Sequence, residues 1–328
     1  MGKKWPDPLD LDTYADVILR LKKPVGRVDM VLDTDTYNEI DDQYAIAYML
    51  ASQDQLDVQA ILAAPFLNHH SRSPEDGMRR SFDEIFRVLS LTGHQDLGAR
   101  VFPGATRFLA DEATPSDSPA ARELVSLALA HTREHPLYVV CIAACTNVSS
   151  ALLLEPSIRE RMVVVWSGGV GLGWPDCDCF NGGQDVAASR VLMQSGVPLV
   201  LAPGRGVADH FLTTGPELEY WLRGRNPFCD YIVDRTIDEA RICYGGKVWS
   251  RPIFDVVPVA WLLDGDFLLD RMEPRPTIEY GLYYSFDQRR PMMRYVYSIK
   301  RDNLMNDLFA KIGGIDELRC AAAAPVNL

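Results

Sequence analysis

The sequence predicts an α/β fold, a mainly parallel open sheet with helices on both faces. Short β-branched apolar runs alternate with segments of helical periodicity, and strand–helix alternation builds parallel sheets through right-handed crossovers. The runs are continuously apolar, as strands covered on both faces are. A dense acidic turn also sits at the first strand-to-helix corner, beyond a strand end, where open α/β sheets place their ligands.

Residues 9–23 read as an extra helix on the outside. The first strand is 28–32, and the acidic turn leads from it into a helix over 41–51. A strand at 58–64 and a helix at 79–91 follow. Next come a helix over 119–132, a strand at 137–142, a helix at 147–154, a strand at 162–166, a helix at 185–195 and a strand at 197–201. After Pro203 the pattern changes. Helices are predicted over 217–222, 231–242 and 256–263, late strands over 277–280 and 295–299, and a closing helix over 303–312. No Gly-, Ser- or Pro-rich linker, repeat or low-complexity tract interrupts this order. The expectation is a single domain over 1–328, with 1–26 as an N-terminal helical extension and a helical C-terminal elaboration.

The chain has 328 residues, 47% hydrophobic and 24% charged, an ordinary globular composition, and a net charge of −12. That balance argues against nucleic acid and anionic membrane as partners, since phosphate surfaces need basic ones. The seven cysteines are odd in number in a long chain, which speaks against a disulfide framework. Residues 1–8 lack the apolar core of a signal peptide, and no uncharged run approaches the roughly 18 residues of a membrane span. A cytoplasmic protein is expected.

The turn reads Asp33-Thr34-Asp35-Thr36-Tyr37-Asn38-Glu39-Ile40-Asp41-Asp42, four aspartates and one glutamate in ten residues. So much like charge is costly unless a cation neutralises it. All-oxygen ligands favour Ca²⁺ or Mg²⁺. The plain alternative is a solvated charged loop.

This turn resembles the N-terminal signature of the inosine-uridine-preferring nucleoside hydrolase family, Asp-x-Asp and then Asp-Asp. Here the two parts are separated by five residues, Thr36 to Ile40, two more than is usual in the family. The resemblance runs on from about residue 27 to 310. Strand 58–64 and its sequel to Asn68 resemble the second strand, which ends in a ribose-binding Asn. Val101-Phe102-Pro103-Gly104-Ala105 and Ala144-Cys145-Thr146-Asn147 have counterparts, as has Val163-Val164-Val165-Trp166-Ser167-Gly168-Gly169. Phe180-Asn181 with Gln184-Asp185-Val186-Ala187-Ala188, and Phe254-Asp255-Val256-Val257-Pro258-Val259-Ala260, complete the order.

The resemblance implies the nucleoside hydrolase fold and metal-dependent hydrolysis of the N-glycosidic bond of ribonucleosides, through an oxocarbenium-like transition state. It implies Ca²⁺ held by Asp35, Asp42, the Thr146 carbonyl and Asp255, with Asp35 also the general base and Asp33 orienting the cluster from behind. It implies Asp41, Asn68 and Asn181 as ribose ligands, and a homodimer or homotetramer. Two positions depart from the family. Phe254 stands where many members carry His, and Cys179 where they carry Glu, so the group that protonates the leaving base is open. His69, His70 and Trp249 are candidates, and Trp166, Trp174, Trp249 and Tyr244 could stack a base. Asp255 could instead cap a helix, and Asn147 reads as a structural turn residue. Cys177-Asp178-Cys179 lacks the second pair that a structural zinc site needs. Two other functions remain open. One is a degenerate, non-catalytic nucleoside-binding homologue. The other is a haloacid dehalogenase-type phosphatase, against which Tyr37 and the Asp41-Asp42 pair speak.

Overall fold

The computed structural model describes residues 11–319. The tips of the expected domain, 1–10 and 320–328, and with them Cys320 and the first two residues of the expected N-terminal helix, lie outside the described residues. That helix is α1, Leu11–Arg20.

Apolar runs give the strands β1 (Val28–Thr34), β2 (Leu56–Ala63), β3 (Val101–Pro103), β4 (Leu137–Cys141), β5 (Met162–Ser167) and β6 (Leu199–Ala202). Two short pieces follow, β7 (Leu212–Thr213) and β8 (Arg251–Pro252), then β9 (Leu268–Pro274), β10 (Thr277–Ile278), β11 (Tyr284–Ser285) and β12 (Met292–Ile299). The main sheet has eight strands in the order β3-β2-β1-β4-β5-β6-β12-β9. Neighbours are parallel, except that β9 runs antiparallel to β12 at the edge. The chain winds outward from β1 in one direction and from β4 in the other. The crevice beyond β1 and β4 is therefore the topological switch point.

The helices are α2 (Asp41–Leu50), α3 (Pro74–Leu91), α4 (Pro119–Ala130), α5 (Thr146–Leu154), α6 (Phe180–Gln184) and α7 (Val186–Gln194). The C-terminal part adds α8 (Gly215–Trp221), α9 (Pro227–Tyr244), α10 (Val256–Leu262), α11 (Arg301–Gly313) and α12 (Asp316–Arg319). Side chains alternate across the strands and build one core on each face. Met30, Leu32, Val140 and Val165 pack with α2, α10 and α11 on one side. Val31, Val139, Cys141 and Val164 pack with α4, α5 and α7 on the other.

Four sequence expectations change. Segment 277–280 pairs with β11 in a two-stranded ribbon outside the main sheet. The helix expected over 185–195 is α7, but a short helix not anticipated, α6, precedes it; Asp185 separates the two, and its carboxylate caps α7 by accepting from the Ala188 N–H at 2.9 Å. The helix expected from 79 starts at Pro74, where the Ser73 side chain accepts from the Asp76 N–H. Finally, β3 and the edge strand β9 were not anticipated. The first is only three residues long, and the second, only partly covered, carries no continuous apolar run.

Candidate active site

The acidic turn leaves the C-terminal end of β1 and enters α2, whose ten residues are all buried. Helix N-termini favour negative charge, and Asp41 and Asp42 lie in the first turn of α2. Asp255 arrives from the start of α10 and makes no side-chain capping bond there. Carboxylate oxygens of Asp41, Asp42 and Asp255 lie within 4.8 Å of one another. Asp35 and Asp42 are fully buried, while Asp41 and Asp255 are 4% exposed.

Burial pushes all four carboxyls above their ordinary range, and their mutual charges push Asp35, Asp42 and Asp255 further. For Asp41 the Arg251 guanidinium works in the opposite direction. Thr34 Oγ1 donates to Asp42 Oδ1 at 2.5 Å. Both oxygens of Asp35 and Oδ2 of Asp42 are buried without any hydrogen-bond partner. Orphaned carboxylate oxygens in an all-oxygen cluster fit a hard divalent cation, which would supply the missing partner.

Asp33 sits behind this cluster. Asn147 Nδ2 donates to its Oδ1 at 2.8 Å, and the Cys141 thiol donates to Oδ2 at 3.4 Å. Burial raises Asp33 to about 7. Asn147 Oδ1 accepts from the Ala105 N–H at 2.8 Å, so one amide ties three segments together. Gly104 makes the approach feasible, because a Cβ there would lie 2.0 Å from the Ala63 carbonyl oxygen and 2.5 Å from the Asn147 amide.

Above the acids lies a cavity of about 230 Å³. Asp41, Asp255, Ser167, Gly168, Gly169 and Asn181 line part of it. Asn38, Glu39, Arg205, Cys179, Phe180 and Phe254 line the rest. Asn181 Nδ2 donates to the carbonyls of Ile142 and Ser167 at 3.1 and 2.9 Å. Cys179 Sγ accepts from the Gly169 and Gly182 N–H groups at 2.9 and 3.2 Å.

The structure thus brings Asp41, Asp42, Asp255 and Asn181 to one place, with Asp35 under it and Asp33 behind. The close trio contains Asp41, which the resemblance had assigned to ribose, rather than Asp35. Asn68 does not line the cavity. Its Nδ2 donates to the Asn38 carbonyl at 2.9 Å, and its Oδ1 accepts from the His70 N–H, so it braces the acidic turn instead. Thr146 begins α5, and its hydroxyl donates to Asp185 Oδ2 at 2.8 Å.

Of the candidates for the leaving base, His69 and His70 face Glu239 outside the cavity lining. Trp249 packs against Gly215, and Trp166 is core, its Nε1–H donating to the Ala143 carbonyl. Trp174 lies under the Arg205 guanidinium, 4.9 Å from its ring centre. The aromatic rings on the cavity are Phe180 and Phe254.

Two residues were missed by sequence reasoning. Arg251 is 6% exposed, and its Nη2 donates to Glu39 Oε2 at 2.6 Å. It also acts on Asp41, as the cation that partly balances the cluster. Glu39 itself belongs to the lengthened turn, and burial beside Asp41 raises it to about 7. The extra residues of the turn were the signal that could have pointed to it.

A carboxylate cluster suited to a cation, set under a cavity at the switch point of an α/β sheet, marks a metal-dependent enzyme of the α/β class. The family is more specific: residues 30–306 match the family model of inosine-uridine preferring nucleoside hydrolases, and the chain belongs to that family. Its reaction class is therefore the hydrolysis of ribonucleosides. Among curated relatives, the pyrimidine-specific ribonucleoside hydrolase RihA of Citrobacter koseri is 28% identical over 249 residues, 68% of this chain and 76% of that one. A purine-preferring ribonucleoside hydrolase from Gardnerella vaginalis superposes with a TM-score of 0.68 at 18% identity, covering 87% of this chain and 98% of that one. The type III effector protein XopQ, solved with adenosine diphosphate ribose, gives 0.63 at 18% identity over 92% of this chain and 98% of its own. At these identities the structural likenesses concern the fold alone.

Proposed function

We propose that the chain is a Ca²⁺-dependent ribonucleoside N-ribohydrolase acting as one domain, with α1 added to its outside. The observation that carries this reading is the set of buried, unpartnered oxygens of Asp35 and Asp42 beneath Asp41 and Asp255. Asp42, Asp255, Asp35 and the Thr146 carbonyl would hold the ion, and Asp41 is close enough to share in it. When bound, the cation supplies positive charge that fixes an attacking water and lowers its pKa.

Asp35 would serve as the general base toward an attacking water. Asp33, held by Asn147, keeps the cluster in register from behind. Asp41 and Asn181 meet the ribose hydroxyls from the cavity lining, while Asn68 acts through the Asn38 carbonyl. A sugar lacking its 2′-hydroxyl leaves those polar groups unpaired, so ribosides are preferred over 2′-deoxyribosides. Glu39 lines the cavity with its carboxyl raised to about 7 by burial against the opposing pull of Arg251, and it is the carboxyl we assign to protonating a departing base. The cellular setting proposed is the cytoplasm, and the assembly a homodimer or homotetramer, to be read by light scattering. No described helix is long and apolar enough to cross a membrane.

The test is reducing-sugar release from a panel of ribosides with and without a Ca²⁺ chelator, including a p-nitrophenyl riboside. Chelator-sensitive release from any member supports the reading. A second reading, a ribose-binding homologue without turnover, is favoured by Phe254 and Cys179 in place of the family's His and Glu. Nucleoside binding without release from any substrate, Ca²⁺ present, would establish that second reading instead.

A further inference from the structure

Away from the acidic cluster, the loop after β2 turns His69 and His70 toward α9. Their rings stack at 3.8 Å between centres and 42° between planes. Both Nε2 atoms approach the Glu239 carboxylate, His69 at 3.7 Å from Oε1 and His70 at 3.4 Å from Oε2 and from Oε1. Ligand atoms of all three residues lie within 4.8 Å of one another.

These separations are long for a hydrogen bond between imidazole and carboxylate, for which about 2.7–3.2 Å is usual. They match two donors of one tetrahedral ion, since bonds of about 2.0–2.1 Å place neighbouring ligands about 3.3 Å apart. Glu239 is 2% exposed, and its Oε2 is buried with no hydrogen-bond partner, although two imidazoles face the carboxylate. A buried carboxylate oxygen without a partner is costly. Cys243 Sγ stands 3.7 Å from Glu239 Oε1 but is also 3.8 Å from Arg251 Nη1, whose positive charge discourages a metal there. The thiol therefore stays outside the ligand set.

We infer that His69, His70 and Glu239 form a second metal site, with two imidazoles and a carboxylate for Zn²⁺ or a similar first-row ion and a fourth position left to water. Nitrogen-rich ligands separate this site from the all-oxygen cluster in metal preference. It also has a structural consequence. Asn68, next to His69, holds the Asn38 carbonyl of the acidic turn. An ion here would clip that loop to α9 and so stiffen the rim of the cavity.

The test uses the full chain, stripped by chelator and then saturated with Ca²⁺ so that the acidic cluster is filled. Zn²⁺ is titrated by calorimetry, and Co²⁺ is followed by its visible absorption bands. The expected result is one Zn²⁺ per chain, a zinc-dependent rise in melting temperature, and at least a tenfold loss of Zn²⁺ affinity in His69→Ala. The His69 side chain is 61% exposed, so this variant should melt like the wild type without zinc. Glu239→Gln should lose Zn²⁺ in the same assay. No Zn²⁺ binding by the Ca²⁺-loaded wild type, or unchanged affinity in His69→Ala, overturns the inference. Neither outcome bears on nucleoside hydrolysis, which is read by sugar release.

Discussion

At the scale of single residues, the site is governed by groups that lack a partner and groups that have several. Asp42 keeps one oxygen bonded to Thr34 and the other free. Asp42→Asn retains the bulk but removes a negative charge, so Ca²⁺ affinity is expected to fall by more than 100-fold, measured by titration with Tb³⁺ luminescence as a second readout. Asn147 is the opposite case. Asn147→Ala would leave Asp33 Oδ1 and the Ala105 N–H buried and unpaired. At about 1–3 kcal/mol per orphaned group, a loss of about 2–4 kcal/mol is expected in urea unfolding. Glu39→Gln should lower turnover of ordinary nucleosides while sparing the p-nitrophenyl riboside, which needs little acid help; an equal loss on both substrates would remove Glu39 from that role. The acids themselves were legible, because carboxylates crowded at the end of an apolar strand repel one another unless a cation sits among them. Arg251 was not. It is far from the turn in sequence, and nothing local to it reveals that its guanidinium returns to Glu39.

At the scale of elements, the sequence carried most where burial was complete. β4, β5 and β6 are fully buried, largely apolar runs, and their positions, like that of β1, were read within about two residues. β9 escaped because an edge strand with alternating exposure and charged residues has no such run. The start of α3 was legible but overlooked, since Ser73-Pro74-Glu75-Asp76 is a capping sequence. The start of α9 is similar. Asn226 Oδ1 accepts from the Cys229 N–H at 2.8 Å, and its Nδ2 donates to the Ile312 carbonyl at the same distance, joining α9 to α11. Asn226→Ala is expected to cost about 1–2 kcal/mol by thermal or urea unfolding, near the upper range for a helix cap because the second bond is lost too.

At the scale of the whole molecule, the acidic centre couples folding to pH. In the cation-free chain, Asp33 and Glu39 hold protons to about 7, above their ordinary values of 3.8 and 4.5. Between roughly pH 4.5 and 7 the folded state then binds more protons than the unfolded one, and stability falls as pH rises through that window. Chelator-treated protein should melt lower at pH 7.5 than at pH 5.5, and millimolar Ca²⁺ should reverse most of the difference; a melting temperature independent of pH and Ca²⁺ would contradict the coupling. The same architecture bears on how the molecule opens. α2 begins with Asp41 and Asp42 and has no exposed residue along its length, enclosed by α3, α10 and α11. Such a segment has no private route to solvent, so its backbone amides should exchange with deuterium only when the entire chain comes apart. A census of protected α2 amides is then a census of molecules whose acid centre is intact, and slow loss of activity in storage would be timed by global unfolding rather than by wear at the site.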